Sequence, residues 1–223
     1  MSDTQEITTS SVKTCTECGV QNCFRLDKHF PDFCLGENLP QEDLKKIVTH
    51  YQEDEEDGRI ARAAAEIEGL FYCKLTRVEE IVAFAHRIGA KKIGVASCLG
   101  LLDEARIFVR ILKAQGLEPY SVICKVGSVD KTEIGVAEEM KVMPGSHEAI
   151  CNPILQAHLL NEANTDLNVI VGLCVGHDSL FIKHSKAMVT TLITKDRVLG
   201  HNPAAALYMT KTFYKRLLEP KKA

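Results

Sequence analysis

From Lys91 onward, short β-branched runs alternate with amphipathic helical stretches, and this alternation limits the possible folds more than any other feature. Ile93-Gly-Val-Ala, Tyr120-Ser-Val-Ile-Cys, Leu167-Asn-Val-Ile-Val-Gly-Leu and Val189-Thr-Thr-Leu-Ile-Thr read as four strands. Between the first two, Leu101, Leu102, Ala105, Phe108, Val109 and Leu112 recur at helical spacing and stop at Gly116. Asn152-Pro153 opens a further helix, with Asn as N-cap and Pro at the first helical position. Asn202-Pro203 repeats that signal before a last helix expected to run to about Pro220. Strands separated by helices cannot pair as hairpins and pair in parallel instead. The expected fold is α/β, a doubly wound, Rossmann-like parallel sheet flanked by helices over residues 91–220.

Upstream, residues 1–14 are polar and read as a disordered tail. Residues 15–40 hold four cysteines and little hydrophobic pattern. Residues 41–90 read as helical: 41–51 form an amphipathic stretch, and Arg59-Ile-Ala-Arg-Ala-Ala-Ala-Glu has high helix propensity. Thr76 and Glu79 form a capping-box pattern ahead of Val78, Ile81, Val82 and Ala85, and Gly89 marks that helix's end. Residues 126–150, rich in Gly, Pro and acidic side chains, are too long for an idle connection and suggest a lid.

A net charge of −3 over 223 residues argues against a strongly basic nucleic-acid binder and a polybasic membrane adaptor. No run reaches the roughly 18 apolar residues of a membrane span, and the first residues lack a signal-peptide pattern. The expected location is the cytoplasm, where the nine cysteines stay reduced and read as metal ligands or reactive thiols.

Cys15, Cys18, Cys23 and Cys34 form a C-x2-C-x4-C-x10-C group. Two thiolates two residues apart can grip one metal from a tight turn, and a second pair completes a tetrahedral shell. A segment with so little core cannot fold on hydrophobic burial alone, which makes metal the expected support. Zinc and an iron–sulfur cluster both suit four cysteines. The spacing differs from a zinc knuckle at the third and fourth positions and the segment is not basic, which again disfavours nucleic acid.

A second group emerges only once the strands are placed. Cys98 follows the first strand, Cys124 ends the second, Cys174 ends the third, and Cys151 precedes the Asn152-Pro153 helix start. In a parallel sheet the strands' carboxyl ends and the following helix starts share one edge, where ligands bind. Each cysteine alone reads equally as a small core residue, since cysteine is among the most often buried types. Together they point to an iron–sulfur cluster or a soft metal, with an open position for substrate if only three ligate.

Gly172-Leu-Cys174-Val-Gly176 also has the spacing of a nucleophile elbow with Cys in place of Ser. A Cys hydrolase using Cys174, Asp196 and His201 is therefore a rival. Against it, His201 lies five residues after Asp196 with no strand between, and the glycines equally make a strand-to-helix turn with Asp178 as N-cap. His177 and His201 are candidate proton carriers, Lys183 and His184 candidate anion binders, and Cys73 a core residue. No dinucleotide or P-loop pattern occurs.

Cys15-x-x-Cys18-Gly-Val, Thr76-Arg-Val-Glu-Glu-Ile, Cys151-Asn-Pro-Ile, Gly172-Leu-Cys-Val-Gly-His-Asp-Ser-Leu and Lys195-Asp-Arg-Val-Leu-Gly-His-Asn-Pro together resemble the family called domain of unknown function eighteen forty-seven. The resemblance runs from Cys15 to about Tyr214. It implies a metal-binding protein of anaerobic bacteria and archaea with no assigned reaction, a setting that favours iron–sulfur over zinc. It also implies that Cys15, Cys18, Cys23 and Cys34, and separately Cys98, Cys124, Cys151 and Cys174, are the family's cysteines.

The sequence therefore leads to a cytoplasmic metal protein with an N-terminal metal at Cys15, Cys18, Cys23 and Cys34. A cofactor, iron–sulfur, is expected at Cys98, Cys124, Cys151 and Cys174. Cys174, His177, Asp178 and His201 are the catalytic candidates, and a small molecule or a redox partner is the expected counterpart. A soft-metal carrier or sensor and the Cys hydrolase are the alternatives.

Overall fold

The computed structural model describes residues 13–53 and 55–219. Residues 1–12, most of the expected disordered tail, lie outside the described residues, as does Pro220. The chain divides into two compact units, Met1–Arg62 and Ala63–Ala223.

The first unit holds a 3-10 turn at Cys15–Glu17, α1 (Asn22–Arg25), α2 (Gln41–Glu53) and the start of α3 (Glu55–Phe71). Thr14 and Glu17 close a capping box on the first turn. Asn22 is buried, and its Oδ1 accepts the Lys28 N–H at 2.8 Å. Phe24, Leu26 and Leu35 are exposed, so the cysteine segment gains little from apolar burial.

The second unit continues α3 and adds α4 (Arg77–Arg87), β1 (Lys92–Ser97), α5 (Leu102–Ala114) and β2 (Glu118–Ile123). Then come α6 (Pro153–Glu162), β3 (Leu167–Val171), α7 (His177–His184), β4 (Met188–Ile193) and α8 (Ala204–Tyr208). The four strands form one parallel sheet in the order β2-β1-β3-β4. The chain steps from β1 to β2 in one direction and returns past β1 to β3. Right-handed crossovers therefore place α5 and α6 on opposite faces and make β1/β3 the point where the order reverses.

Every residue of β3 is buried, as expected for a central strand covered on both sides. Phe108 of α5 and Phe181 of α7 are almost fully enclosed, and burying each stabilises the fold by about 1.5–3 kcal/mol. Thr76 caps α4 by accepting the Glu79 N–H, while Glu79 reaches back to the Thr76 N–H at 2.7 Å. Ile81, Val82 and Ala85 of α4 join Ala63 of α3 in the sheet's core. The division between the two compact units falls at Arg62/Ala63, within α3.

Three local readings are corrected. The last helix does not run to Pro220: α8 ends at Tyr208, and turns lead to a 3-10 stretch at Lys215–Leu218. Leu207, Tyr208 and Phe213 are exposed, so no apolar face holds a longer helix. Gly176, not Asp178, is the N-cap of α7, and Asp178 lies in its first turn. Residues 126–150 form a self-bonded excursion rather than a free lid. Asp130 pairs with Ala149 in an isolated antiparallel bridge. Buried Lys141 reaches Asp130 at 2.9 Å and Glu138 at 2.8 Å, and Lys131 pairs with Glu148.

Candidate metal centre

The parallel ladder runs one residue past each strand end and so sets the cysteines side by side. Cys98 donates its N–H to the Val171 carbonyl at 3.1 Å, and Cys124 donates to Ser97 at 2.8 Å. The excursion's returning leg then binds to the end of β2, with Asn152 N–H on the Cys124 carbonyl at 2.7 Å. That bond holds Cys151 beside Cys124. Asn152 also caps α6, accepting the Leu155 N–H at 3.1 Å.

Cys174 arrives through a turn built on two glycines. Gly172 has φ +71°, and a Cβ there would lie 1.9 Å from Leu101 Cδ1, so a larger residue would be strained and would have to displace the buried Leu101 side chain. Gly176, at φ +84°, opens α7 and places His177 one helical residue later. The donor atoms of Cys151, Cys174 and His177 all lie within 4.8 Å of one another. His177 Nδ1 is buried and has no hydrogen-bond partner. Sulfur and imidazole donors on one ion sit at about 2.0–2.3 Å from it, so this trio closes onto a single ion with a small side-chain adjustment. The sheet's carboxyl edge therefore carries a Cys/His group that can hold a metal ion.

Two further sulfurs continue this group. The Cys124 thiol is hydrogen-bonded to both Cys98 and Cys151. It is buried, and its flanking sulfurs keep it protonated, which pushes its pKa far above the usual thiol range. Its hydrogen bonds hold Cys98 and Cys151 down to about 5, against the cost of burial. The Gly100 N–H and Lys195 add to the effect at Cys98, and Lys125 and His177 at Cys151. Both are thereby biased toward the thiolate, the form that ligates metal. Leu99 N–H donates to Cys124 Sγ at 3.3 Å, and Arg197 Nη2 donates to Cys174 Sγ at 2.9 Å.

The hydrolase relay is not assembled. The Asp196 carboxylate accepts the Val198 and Leu199 N–H groups at 2.9 and 2.8 Å. His201 Nδ1 in turn accepts the Asp196 N–H at 3.1 Å, so the acid does not orient the imidazole. Asp178 Oδ1 accepts the Ser179 N–H at 2.8 Å, a local helix-start contact. The imidazole that stands with Cys174 is His177.

In the first unit, Cys15, Cys18, Cys23 and Cys34 line one cavity of about 80 Å³ with Phe33 and Gln21. The Gln21 N–H donates to Cys18 Sγ at 3.4 Å. Among the described residues, however, Cys151, Cys174 and His177 are the group of three or more donors that comes within 4.8 Å. All nine cysteines are free thiols, and Cys73 is exposed rather than in the core.

Reading the residues alone did not single out Lys125, Lys195 or Arg197. Their one signal was position, immediately after the β2 and β4 strand ends, on the edge already marked by the cysteines.

A parallel α/β protein with a Cys/His group at the switch-point edge is the class that this fold and site define. The family described as "Protein of unknown function (DUF1847)" matches residues 34–192, and the chain belongs to it. The match takes in Cys98, Cys124, Cys151, Cys174 and His177 but begins after Cys15, Cys18 and Cys23. The chain is also similar to "Uncharacterized protein MJ0455" of Methanocaldococcus jannaschii. The two are 46% identical over 207 residues, 93% of this chain and 99% of the relative. No described helix is long and apolar enough to cross a membrane.

Proposed function

We propose that Cys98, Cys124, Cys151 and Cys174, with His177 beside them, bind an iron–sulfur cluster that serves redox or sulfur-transfer chemistry on a small molecule. The carrying observation is the grouping of Cys151, Cys174 and His177 on the sheet edge that also carries Cys98 and Cys124, together with a buried, unpartnered His177 Nδ1. Thiolate sulfur selects iron–sulfur clusters and soft metals over hard cations. The Leu99 N–H and the Arg197 side chain donate to these sulfurs, and the Gly100 N–H and Lys195 lie beside Cys98, the kind of contact that sets a cluster's potential. A bound cluster supplies the electron or the sulfur; the protein's side chains hold the sulfurs charged and in place.

The N-terminal four cysteines take a second metal, zinc or an electron-relay cluster, which closes a segment that burial alone does not hold. A reducing compartment, the cytoplasm, suits nine unpaired cysteines.

A second reading is a mononuclear centre on Cys151, Cys174 and His177 with an open fourth position. It is favoured by the 4.8 Å spread of those three donors, which matches one ion. Anaerobic purification with iron, zinc and acid-labile sulfide analysis separates the two. Brown protein containing iron and sulfide, bleached by Cys124→Ser, is the expected result. Colourless protein whose zinc is lost with Cys174→Ser establishes the mononuclear centre instead. Protein that retains no metal at this edge overturns both.

A further inference from the structure

Three cations surround the sulfur cluster. Arg197 Nη2 lies 2.9 Å from Cys174 Sγ, Lys195 stands near Cys98, and Lys125, whose Nζ donates to the Ala149 carbonyl, stands near Cys151. They come from the loops after β2 and β4, on the edge that holds the cysteines. Lys195 reaches the turn that follows Cys98: a Cβ on Gly100 would stand 3.3 Å from its Nζ. Among the described residues, none of the three forms a salt bridge with a carboxylate. The partner that the geometry gives Arg197 is the Cys174 sulfur.

Charge counting then gives a surplus. A metal bound by these sulfurs would itself neutralise part of their charge, which leaves cationic charge free for a second anion. Arg197 is exposed, and its guanidinium has five N–H donors, of which the sulfur takes one. Val175 and Val198, next to Cys174 and Arg197 in the chain, are 89% and 78% exposed, so this side of the cluster is open to solutes.

We infer that Arg197 and Lys195, supported by Lys125, form an anion subsite beside the sulfur cluster, and that the small molecule acted on there is an anion. The assignment rests on the metal-centre reading for its place in a reaction but not for its binding chemistry. Charge-assisted N–H donors in a fork geometry recognise an oxyanion or a soft monoanion in the same way.

The test titrates the anaerobically purified full chain with thiocyanate, and separately with neutral thiourea, by calorimetry at constant ionic strength. Metal content is measured on every sample. Saturable thiocyanate binding is expected, weakened about tenfold or more by Arg197→Gln and by Lys195→Gln, with thiourea unaffected and metal content unchanged. Thiocyanate binding that is absent, or indifferent to both substitutions, overturns the subsite. So does loss of metal in the variants, because the cations would then serve the centre's own charge. Cation-dependent thiocyanate binding in a protein without metal upholds the subsite and refutes the metal-centre reading alone.

Discussion

The two cysteine groups are built in opposite ways. Cys15, Cys18, Cys23 and Cys34 are close in sequence, sit in a segment with little apolar burial, and keep their donors spread around a small cavity. Cys98, Cys124, Cys151 and Cys174 are scattered over the chain, yet β1, β2, β3 and the excursion deliver them to one edge with hydrogen bonds on their sulfurs. On the proposed reading a metal gathers the first site, whereas the sheet itself gathers the second. Nearness in sequence is therefore a poorer guide to a finished donor set than a shared strand end.

The sharpest way to break this contrast is to remove the sheet's support. Phe181 packs α7, which carries His177, and its side chain is fully buried. Phe181→Ala should cost about 3–5 kcal/mol in denaturant unfolding. Phe24→Ala in the first unit, where that ring is 78% exposed, should cost under about 0.5 kcal/mol. Comparable losses would show that both units depend equally on burial.

Next in size is Gly172→Ala. Its Cβ would collide with Leu101 and its φ is left-handed, so a loss of about 1–3 kcal/mol is expected, together with reduced metal at the sheet edge. Metal analysis of that variant should leave the N-terminal share intact. A drop in both shares would mean that the two sites do not load independently.

Chelator treatment sharpens the comparison from the other side. Hydrogen exchange should rise over residues 15–40 and stay slow over β1 and β3, because only the first segment lacks a core to fall back on. Protection that persists over 15–40 would show that the segment holds itself.

The smallest effect expected is acid loosening of the excursion. Asp130 is held below the ordinary carboxylate range, chiefly by backbone N–H groups and Lys141, and Glu138 and Glu148 are lowered mainly by Lys141 and Lys131. A depressed folded-state pKa gives stability that is present above the unfolded value and lost as pH falls through the folded one. Residues 126–150 should therefore resist protease at pH 6 and loosen as pH falls below the ordinary Glu and Asp values of 4.5 and 3.8. Cleavage there at pH 6 would contradict the self-bonded excursion.

The sheet was readable because β-branched runs and helical stripes report burial directly: Val169 and Ile170 of β3 and Leu112 of α5 are buried where the pattern puts them. The stretch after α8 was not, since Asn202-Pro203 announces a start while exposed Tyr208 and Phe213 give nothing to sustain a helix. Cys98, Cys124 and Cys174 could be placed at strand ends by counting. Arg197 could not be paired with Cys174 that way, because its side chain reaches back across a loop with no periodicity. Nor could the Asn152–Cys124 bond that brings Cys151 home across the long excursion.

The most direct test of the central claim isolates the sheet edge. A full-length variant with Cys15, Cys18, Cys23 and Cys34 all changed to Ser, purified anaerobically, is examined by X-ray absorption at the edge of whichever metal it retains. A metal–sulfur shell at about 2.3 Å that shrinks in Cys174→Ser is expected. A variant that binds no metal, or one bound through oxygen and nitrogen alone, would contradict it.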